Sequence, residues 1–511
     1  MYVRRSSSPA PKRKSRDRGL GSVEREEQEA LRHAAVRHVT WECNVPAALE
    51  DGLEMRGTGS PWAGGTTVGE GHDKGSGLFS SPESRRSSVV RLPASRAPNL
   101  APVAGAQYIL LRVGYETRSS PPFVASGLFF VPAQTSSKPT YSREATRRMP
   151  LPQYPIQVLL TGATGFVGGT ALASFVERED YKAGKVKITC LVRGAQRAKV
   201  IGEKYGVDVL EADLDAVEKI QEAASKTDVI LHTANADHPP STRAMLAGLK
   251  ERFEKTGIQG IFIHSSGTGA LTDNAKGEFA DPKIFQDRDC ADIRAIPTTY
   301  AHRESDDAIM NASIEGYVRA HVVMPPLIYG RGRGPYSRTS VQIPALIRAA
   351  LKLKQSIYLG KGLPMWNGVH VQDLVNLYFV LLDDVLSGSP KAKTGLDCFY
   401  FCATDEYQWL ELATELGKRL HAKGAIPTPE PRTLKPEEVD GALGAWSDFA
   451  YGSNSRSVSG KAFDLGWTPL HPTGTNGLFE SIDAEYEAVL EEGRDEKPKV
   501  HEDEMKRAVG A

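Results

Sequence analysis

An α/β fold built on a doubly wound parallel sheet is predicted for the larger part of this 511-residue chain, and three observations predict it. A buried-strand pattern at Ile156 runs directly into a glycine-spaced turn and a helix. A second apolar run at residues 185–193 follows at the distance a strand–helix–strand unit requires. Strand-like and helix-like patterns then alternate as far as Val323. A smaller C-terminal lobe follows this domain, and a head of different composition precedes it.

The first strand is the run Val158, Leu159, Leu160, apolar without alternation as suits a strand covered on both faces. Gly162, Gly165 and Gly168 come next, placed where side chains would keep a pyrophosphate from the helix N-terminus. The expectation is a Rossmann-type dinucleotide cradle. The helix reads from Phe166 to Glu177, with Val167, Ala171, Leu172, Phe175 and Val176 at helical spacing. Lys185 to Arg193 is the second strand. An acidic residue at its end would favour NAD, but Arg193 stands there, suited to the 2′-phosphate of NADP. The plainer reading of Arg193 is an exposed residue opening a loop. NADP is therefore the preferred cofactor, with NAD left open.

Helices are expected at Gln196–Tyr205, Leu214–Ser225 and Thr242–Glu254, and strands at Val207–Glu211, Asp228–Thr233, Gly260–Ser265 and Gly316–Val323. A polar excursion, Thr268 to Pro297, separates the fifth strand from a helix beginning near Tyr300. Ligands in such sheets bind beyond the C-terminal strand ends, where Gly162, Arg193, Ala234 and Ser266 fall. Beyond Gly330 come a basic loop with Arg331 and Arg333, then helices at Val341–Leu353 and Val371–Leu386. The two arginines read either as a forked clamp for an anionic substrate or as a solvated turn. His232 and His370 sit in apolar runs as structural histidines, and no metal site is expected, since no second histidine or cysteine stands at ligand spacing. Cys398 and Cys402, four apart, are expected on one face of a strand, packed in the core.

The chain resembles the extended short-chain dehydrogenase/reductase superfamily, in its NAD-dependent epimerase/dehydratase branch. The likeness rests on Thr161-Gly162-Ala163-Thr164-Gly165-Phe166-Val167-Gly168, followed in order by Glu211-Ala212-Asp213-Leu214, Leu231-His232-Thr233-Ala234-Asn235 and Ile263-His264-Ser265-Ser266-Gly267. Pro326-Leu327-Ile328-Tyr329-Gly330, Val369-His370-Val371-Gln372-Asp373-Leu374 and Leu465-Gly466-Trp467-Thr468-Pro469 continue it. The resemblance implies cofactor contacts from Thr161, Gly162, Thr164, Gly165, Phe166, Val167 and Gly168, from Asp213 and Leu214 near the adenine, and from Ala234 and Asn235 along the cofactor. Asp213 could equally cap the following helix.

The same resemblance implies an acid/base engine made of a Ser or Thr after the fifth strand and a Tyr-x-x-x-Lys on the next helix. Ser266 supplies the first, with Ser265 adjacent, and Tyr300 the tyrosine. Glu304 stands where the lysine belongs. Arg303 is then expected on the helix face of Tyr300, stabilising a phenolate and bonding the ribose, with Glu304 working against it. The catalytic set is Ser266, Tyr300 and Arg303. The function it implies is NADPH-driven reduction of a small aldehyde or ketone, the partner being a carbonyl or alcohol substrate. A cofactor-binding sensor or scaffold without strong activity is the alternative, and a sugar-nucleotide epimerase or dehydratase a third.

Four segments are expected: a largely disordered basic Ser/Pro/Gly-rich head at 1–153, the dinucleotide domain at 154–330, a substrate lobe at 331–495 with segments returning to that domain, and a charged tail at 496–511. The first 150 residues carry 22 Lys plus Arg against 14 Asp plus Glu, a net charge of +8 that the remainder balances at −8. Such a composition cannot bury a core. Gln107–Val113 and Phe123–Val131 are short apolar runs within it, each a strand fragment or an aggregation-prone segment. Pro11-Lys12-Arg13-Lys14-Ser15-Arg16 leaves nuclear import open, while nucleic acid is not an expected partner. No run reaches a membrane-spanning length, and five cysteines spread over the chain suit free thiols in a reducing compartment. The reading is a cytoplasmic protein, with a homodimer left open.

Overall fold

The computed structural model describes residues 152–444, 447–471, 473 and 475–493, together with short strands at 90–91, 108–115 and 123–130. These three strands belong to the first of two compact units, residues 1–137, where they form an antiparallel sheet. Its hairpin pairs Tyr108 with Phe130 through Tyr115 with Phe123. Both apolar runs of the head are thus strands. The basic cluster, most of the segment expected to be disordered and the tail 496–511 lie outside the described residues.

The second unit is built on a seven-stranded sheet: β1 (Ile156–Thr161), β2 (Val186–Val192), β3 (Asp208–Glu211), β4 (Val229–His232), β5 (Gly260–Ser265), β6 (Val318–Met324) and β7 (Phe399–Phe401). All pairings are parallel, in the order β7-β6-β5-β4-β1-β2-β3. The winding reverses between β1 and β4, which opens a crevice at their C-terminal ends. Every residue of β1 except Gln157 is buried. Leu160 joins the core under one sheet face and Leu159 the core under the other, so an unbroken apolar run serves two layers at once.

Helices α1 (Phe166–Phe175), α2 (Ala195–Tyr205), α3 (Val217–Ala224), α4 (Pro239–Thr256), α5 (Arg303–Glu315), α6 (Gln342–Leu353), α7 (Val371–Leu386), α8 (Trp409–Ala422) and α9 (Thr475–Glu492) complete the frame. Residues of α1, α2 and α7 share one core, and residues of α3, α4 and α5 the other. Helix α4 starts where the His238 ring accepts the Ser241 N–H at 3.2 Å, with Pro239 in the first turn, and stops at Gly257 in the left-handed region. Helix α3 begins three residues later than expected, with Ala216 as its N-cap, so Asp213 does not cap it.

The lobe carries a small sheet of Leu327–Tyr329, Met365–His370 and Asp405–Gln408, packed with α6, α8 and α9 around Trp366, Tyr407 and Trp409. From this lobe the chain returns twice, as α7 and as β7 at the sheet edge. Strand β7 is only three residues long, which corrects the expectation for the two cysteines beside it. Both are buried free thiols, but Cys398 packs in the core shared with α5 and Cys402 in the core shared with α7. Among the described residues no helix is long and apolar enough to cross a membrane.

Candidate functional site

The turn between β1 and α1 is shaped by three glycines for two different reasons. Gly162 has a positive φ of 79°, and a Cβ there would lie 2.5 Å from the Thr233 carbonyl oxygen. A Cβ on Gly168 would lie 2.2 Å from the Gly162 carbonyl oxygen. The protein's own packing demands both. Gly165 has an ordinary φ of −83°, and a Cβ there would meet only the Gly162 oxygen, at 3.1 Å. It therefore keeps a face of the turn bare toward the outside. Helix α1 has no side-chain cap and no acid in its first turn, so its leading N–H groups and the positive end of its dipole stay uncompensated. A pyrophosphate fits this cradle. Thr164, Gly165, Phe166 and Val167 are half-buried around it.

Arg193 stands exposed one residue beyond β2, with no ion-pair partner among the described residues. Past β3, Asp213 is exposed and Leu214 half-buried. Past β4, the Ala234 N–H donates to Thr161 Oγ1 at 3.3 Å, and Asn235 Oδ1 accepts the Asp237 N–H at 2.8 Å. Thr161 itself is fully buried, and its hydroxyl hydrogen-bonds with His232 Nδ1 at 2.6 Å. Its side chain thus ties β1 to β4 from inside, away from the open face of the turn.

A buried polar cluster continues from there across the strand ends. The His232 and His264 rings stack with centroids 5.0 Å apart, and His264 Nε2 lies 3.6 Å from Asp306 Oδ1. Ser266 donates its hydroxyl to Asp306 Oδ2 at 2.9 Å, and Arg303 Nη1 lies 3.4 Å from the same oxygen. Burial pushes the Asp306 carboxyl up to about 6, against the pull of Arg303 and His302. Burial also holds the His264 imidazole well below its ordinary value and His232 down at about 3. Beside this cluster, His302 Nδ1 lies 2.9 Å from Asp237 Oδ2.

Known proteins resemble this part of the chain. The family described as NAD(P)H-binding matches residues 162–318, and the NAD dependent epimerase/dehydratase family matches residues 272–393. Residues 162–318 thus carry an NAD(P)-binding domain and residues 272–393 an NAD-dependent epimerase/dehydratase domain. Oxidase ucsJ of an Acremonium species is 27% identical over 334 residues, 62% of this chain and 93% of that protein. A 3-diazoavenalumate denitrifying reductase of a Streptomyces species is 24% identical over 344 residues, 63% of this chain and 99% of that protein. Among solved structures, a dTDP-glucose 4,6-dehydratase of Bacillus anthracis, in complex with NAD, covers 66% of this chain and 98% of its own at 17% identity and a TM-score of 0.45. The cofactor of this family is a nicotinamide dinucleotide.

Measured against the family's acid/base engine, the structure corrects the geometry expected of Tyr300 and Arg303. Helix α5 begins at Arg303, so Tyr300 lies in the preceding turn, 46% exposed, and the two share no helix face. Arg303 points inward. It is closed to solvent, with Nη2 2.5 Å from Asp307 Oδ1 and its guanidinium 5.2 Å from the centre of the Phe399 ring. It is thereby committed to neutralising Asp306 and Asp307 rather than a phenolate. Glu304 lies outside on α5, paired with Arg243 at 2.6 Å. Ser266 spends its proton on Asp306, and the Ser265 hydroxyl meets Tyr378 Oη at 2.5 Å. His302, Asp237, His264 and Asp306 escape the sequence reading. His302 lies within the run searched for a lysine, and its carboxylate partner is 65 residues away.

The lobe's two arginines are engaged with helix ends. Arg331 pairs with Glu491, and Arg333 with Glu177 at 2.5 Å, in partly exposed ion pairs. Folding also brings together His370, Asp373 and His471, a grouping that sequence spacing hides. The His370 and His471 rings stack with centroids 3.4 Å apart, and the ligand atoms of the three residues lie within 4.8 Å of one another, close enough to hold a metal ion, which the sequence reading did not expect. His370 Nδ1 caps α7 through the Gln372 N–H at 3.2 Å, and Asp373 Oδ1 accepts the Leu470 N–H at 2.6 Å. These groups lock the lobe's return to the sheet.

Proposed function

We propose that this protein is an NADP-preferring oxidoreductase that reduces a small aldehyde or ketone. The observation that carries the reading is the bare Gly165 face of the turn, with proton-carrying groups gathered beyond the neighbouring ends of β4 and β5. When bound, a nicotinamide dinucleotide supplies the hydride. The residues of this chain do the rest: the first turn of α1 holds the pyrophosphate, and Arg193, exposed and without an ion-pair partner among the described residues, meets a 2′-phosphate. Backbone at Ala234 and Asn235 lies along the cofactor. The relatives named as an oxidase and a reductase support redox chemistry. The partner is a small carbonyl or alcohol, with neither membrane nor nucleic acid required. Titrating the full chain with NADPH and NADH, then assaying turnover on a carbonyl panel, tests the proposal. Tighter NADPH binding and NADPH oxidation on at least one carbonyl are expected; preference for NADH, or failure to bind either, overturns it.

A second reading is a cofactor-binding sensor. It is favoured by the outward-facing Glu304 at the lysine position and by the inward commitment of Arg303. NADPH binding with no turnover on any carbonyl or sugar nucleotide would select it.

A further inference from the structure

We propose that His302, held by Asp237, is the proton donor to the substrate oxygen, in place of the tyrosine and lysine that the family uses. The inference rests on the oxidoreductase reading above and deepens it. Asp237 grips the residue twice, accepting the His302 backbone N–H at 2.7 Å on one oxygen and facing ring Nδ1 at 2.9 Å with the other. His302 sits at a φ of 67°, a left-handed conformation uncommon for a residue with a side chain and one that must be held in place. The Asp237 carboxylate stands beside Nδ1 as a counter-charge to the protonated ring, and Nε2 is the ring's other edge.

That edge lies against the segment following β5. A Cβ on Gly267 would stand 2.8 Å from His302 Nε2, and one on Gly269 3.3 Å from it. Gly267 has a φ of −169°, extended backbone open to any residue, so the clearance for the ring is the reason for a glycine there. Asp237 follows the end of β4 and Gly267 the end of β5. The same β4 end, at Thr233 and Ala234, is pressed against Gly162 of the cradle. Two loops that border the cofactor crevice therefore hold one imidazole between them. Its side chain is 22% exposed, reachable and yet shielded.

The charged and titratable groups around His302 are Asp237 from the β4 loop, Asp306 from α5 and His264 from β5. Burial pulls the imidazole down, but Asp237, helped by Asp306, more than offsets it, so His302 holds its proton above the ordinary histidine range. In the reduction, hydride from the reduced nicotinamide adds to the carbonyl carbon. The C–O π pair takes the Nε2 proton, so an O–H bond forms as N–H breaks, and the neutral imidazole regains its proton from solvent. NADPH is oxidised and the carbonyl reduced, with one proton consumed overall. Tyr300, exposed in its turn, takes no part.

Two measurements on the full chain test this. Diethylpyrocarbonate modification, read by peptide mass spectrometry against pH, should show His302 reacting with a midpoint above the ordinary histidine value, that midpoint falling in Asp237→Asn, and NADP+ protecting His302 at least about fivefold. Turnover should fall about 10²–10⁴-fold in His302→Asn, the range for a lost general acid, with NADPH affinity kept within about threefold. Asparagine tolerates the left-handed backbone, and Asp237→Asn leaves His302 itself in place should the first variant fail to fold. An Asp237→Asn protein with the wild-type modification midpoint, or a His302→Asn protein with wild-type turnover, overturns the assignment. So does a His302 that NADP+ leaves unprotected, even if the wild type reduces carbonyls. Protection by NADP+ in a wild type without turnover would sink carbonyl reduction while upholding the place of His302 beside the nicotinamide.

Discussion

Arg303 and Asp306 face each other inside the protein at 3.4 Å, one helical turn apart and both closed to solvent. Removing one partner of such a pair strands the other charge in a medium that cannot solvate it. Arg303→Ala should therefore cost about 3–5 kcal/mol of stability, a loss seen as a lower melting temperature and denaturant midpoint. A melting temperature within a degree of wild type would show that solvent reaches Asp306.

The two kinds of glycine in the cradle should respond differently to alanine. Gly165→Ala needs no unusual backbone and meets one oxygen, so it should fold with nearly wild-type stability while weakening NADPH at least about tenfold, roughly 1.4 kcal/mol. Gly168→Ala drives a methyl into the Gly162 backbone and should lower stability as well as binding. Calorimetry with and without NADPH separates the two, and equal melting temperatures for both variants would refute the distinction.

Arg193→Ala should weaken NADPH by about 1.5–3 kcal/mol, the range for a hydrogen bond to a charged group, and leave NADH nearly unchanged. Fluorescence titration of each cofactor measures this. Matching losses for NADPH and NADH would remove Arg193 from the 2′-phosphate.

Glu485, buried in α9, accepts the Gly330 N–H at 3.0 Å and the Ser340 hydroxyl at 2.9 Å, while burial pushes its carboxyl up to about 7 from 4.5. Between those values the folded chain keeps a proton that the unfolded chain has released. Folding stability from this group therefore falls as pH rises from 4.5 to 7 and stays lower above, by about 3 kcal/mol at most. Glu485→Gln keeps an acceptor for both donors and carries no charge. It should match wild type near pH 4.5 and melt higher than wild type at pH 8. A melting-temperature difference that does not vary with pH would contradict the assignment.

Much of the sheet and of the cradle was legible in the chain itself. The apolar run of β1, the helical spacing of α1 and the glycines between them are neighbours in sequence, and backbone sterics and burial period act over just such distances. Helix starts were less legible. The pattern at Tyr300-Ala301-His302 continues smoothly into α5, yet Asp237 draws His302 into a left-handed turn and delays the helix to Arg303. Strand β7 is too short to announce itself, and the sheet edge left open by β6 recruits it.

The amino-acid order alone determined the doubly wound domain, the turn that receives a dinucleotide and the cation at the end of β2, because each depends on residues within a few positions of one another. Only the tertiary structure decided the partners of the charged and titratable groups. Arg303 turned to Asp306 and Asp307 instead of Tyr300, Arg331 and Arg333 turned to glutamates, and His302 met a carboxylate 65 residues away. The physical reason is that a charge is steered by burial and by whichever loops the strand order brings to the same end of the sheet. Neither is written in local spacing.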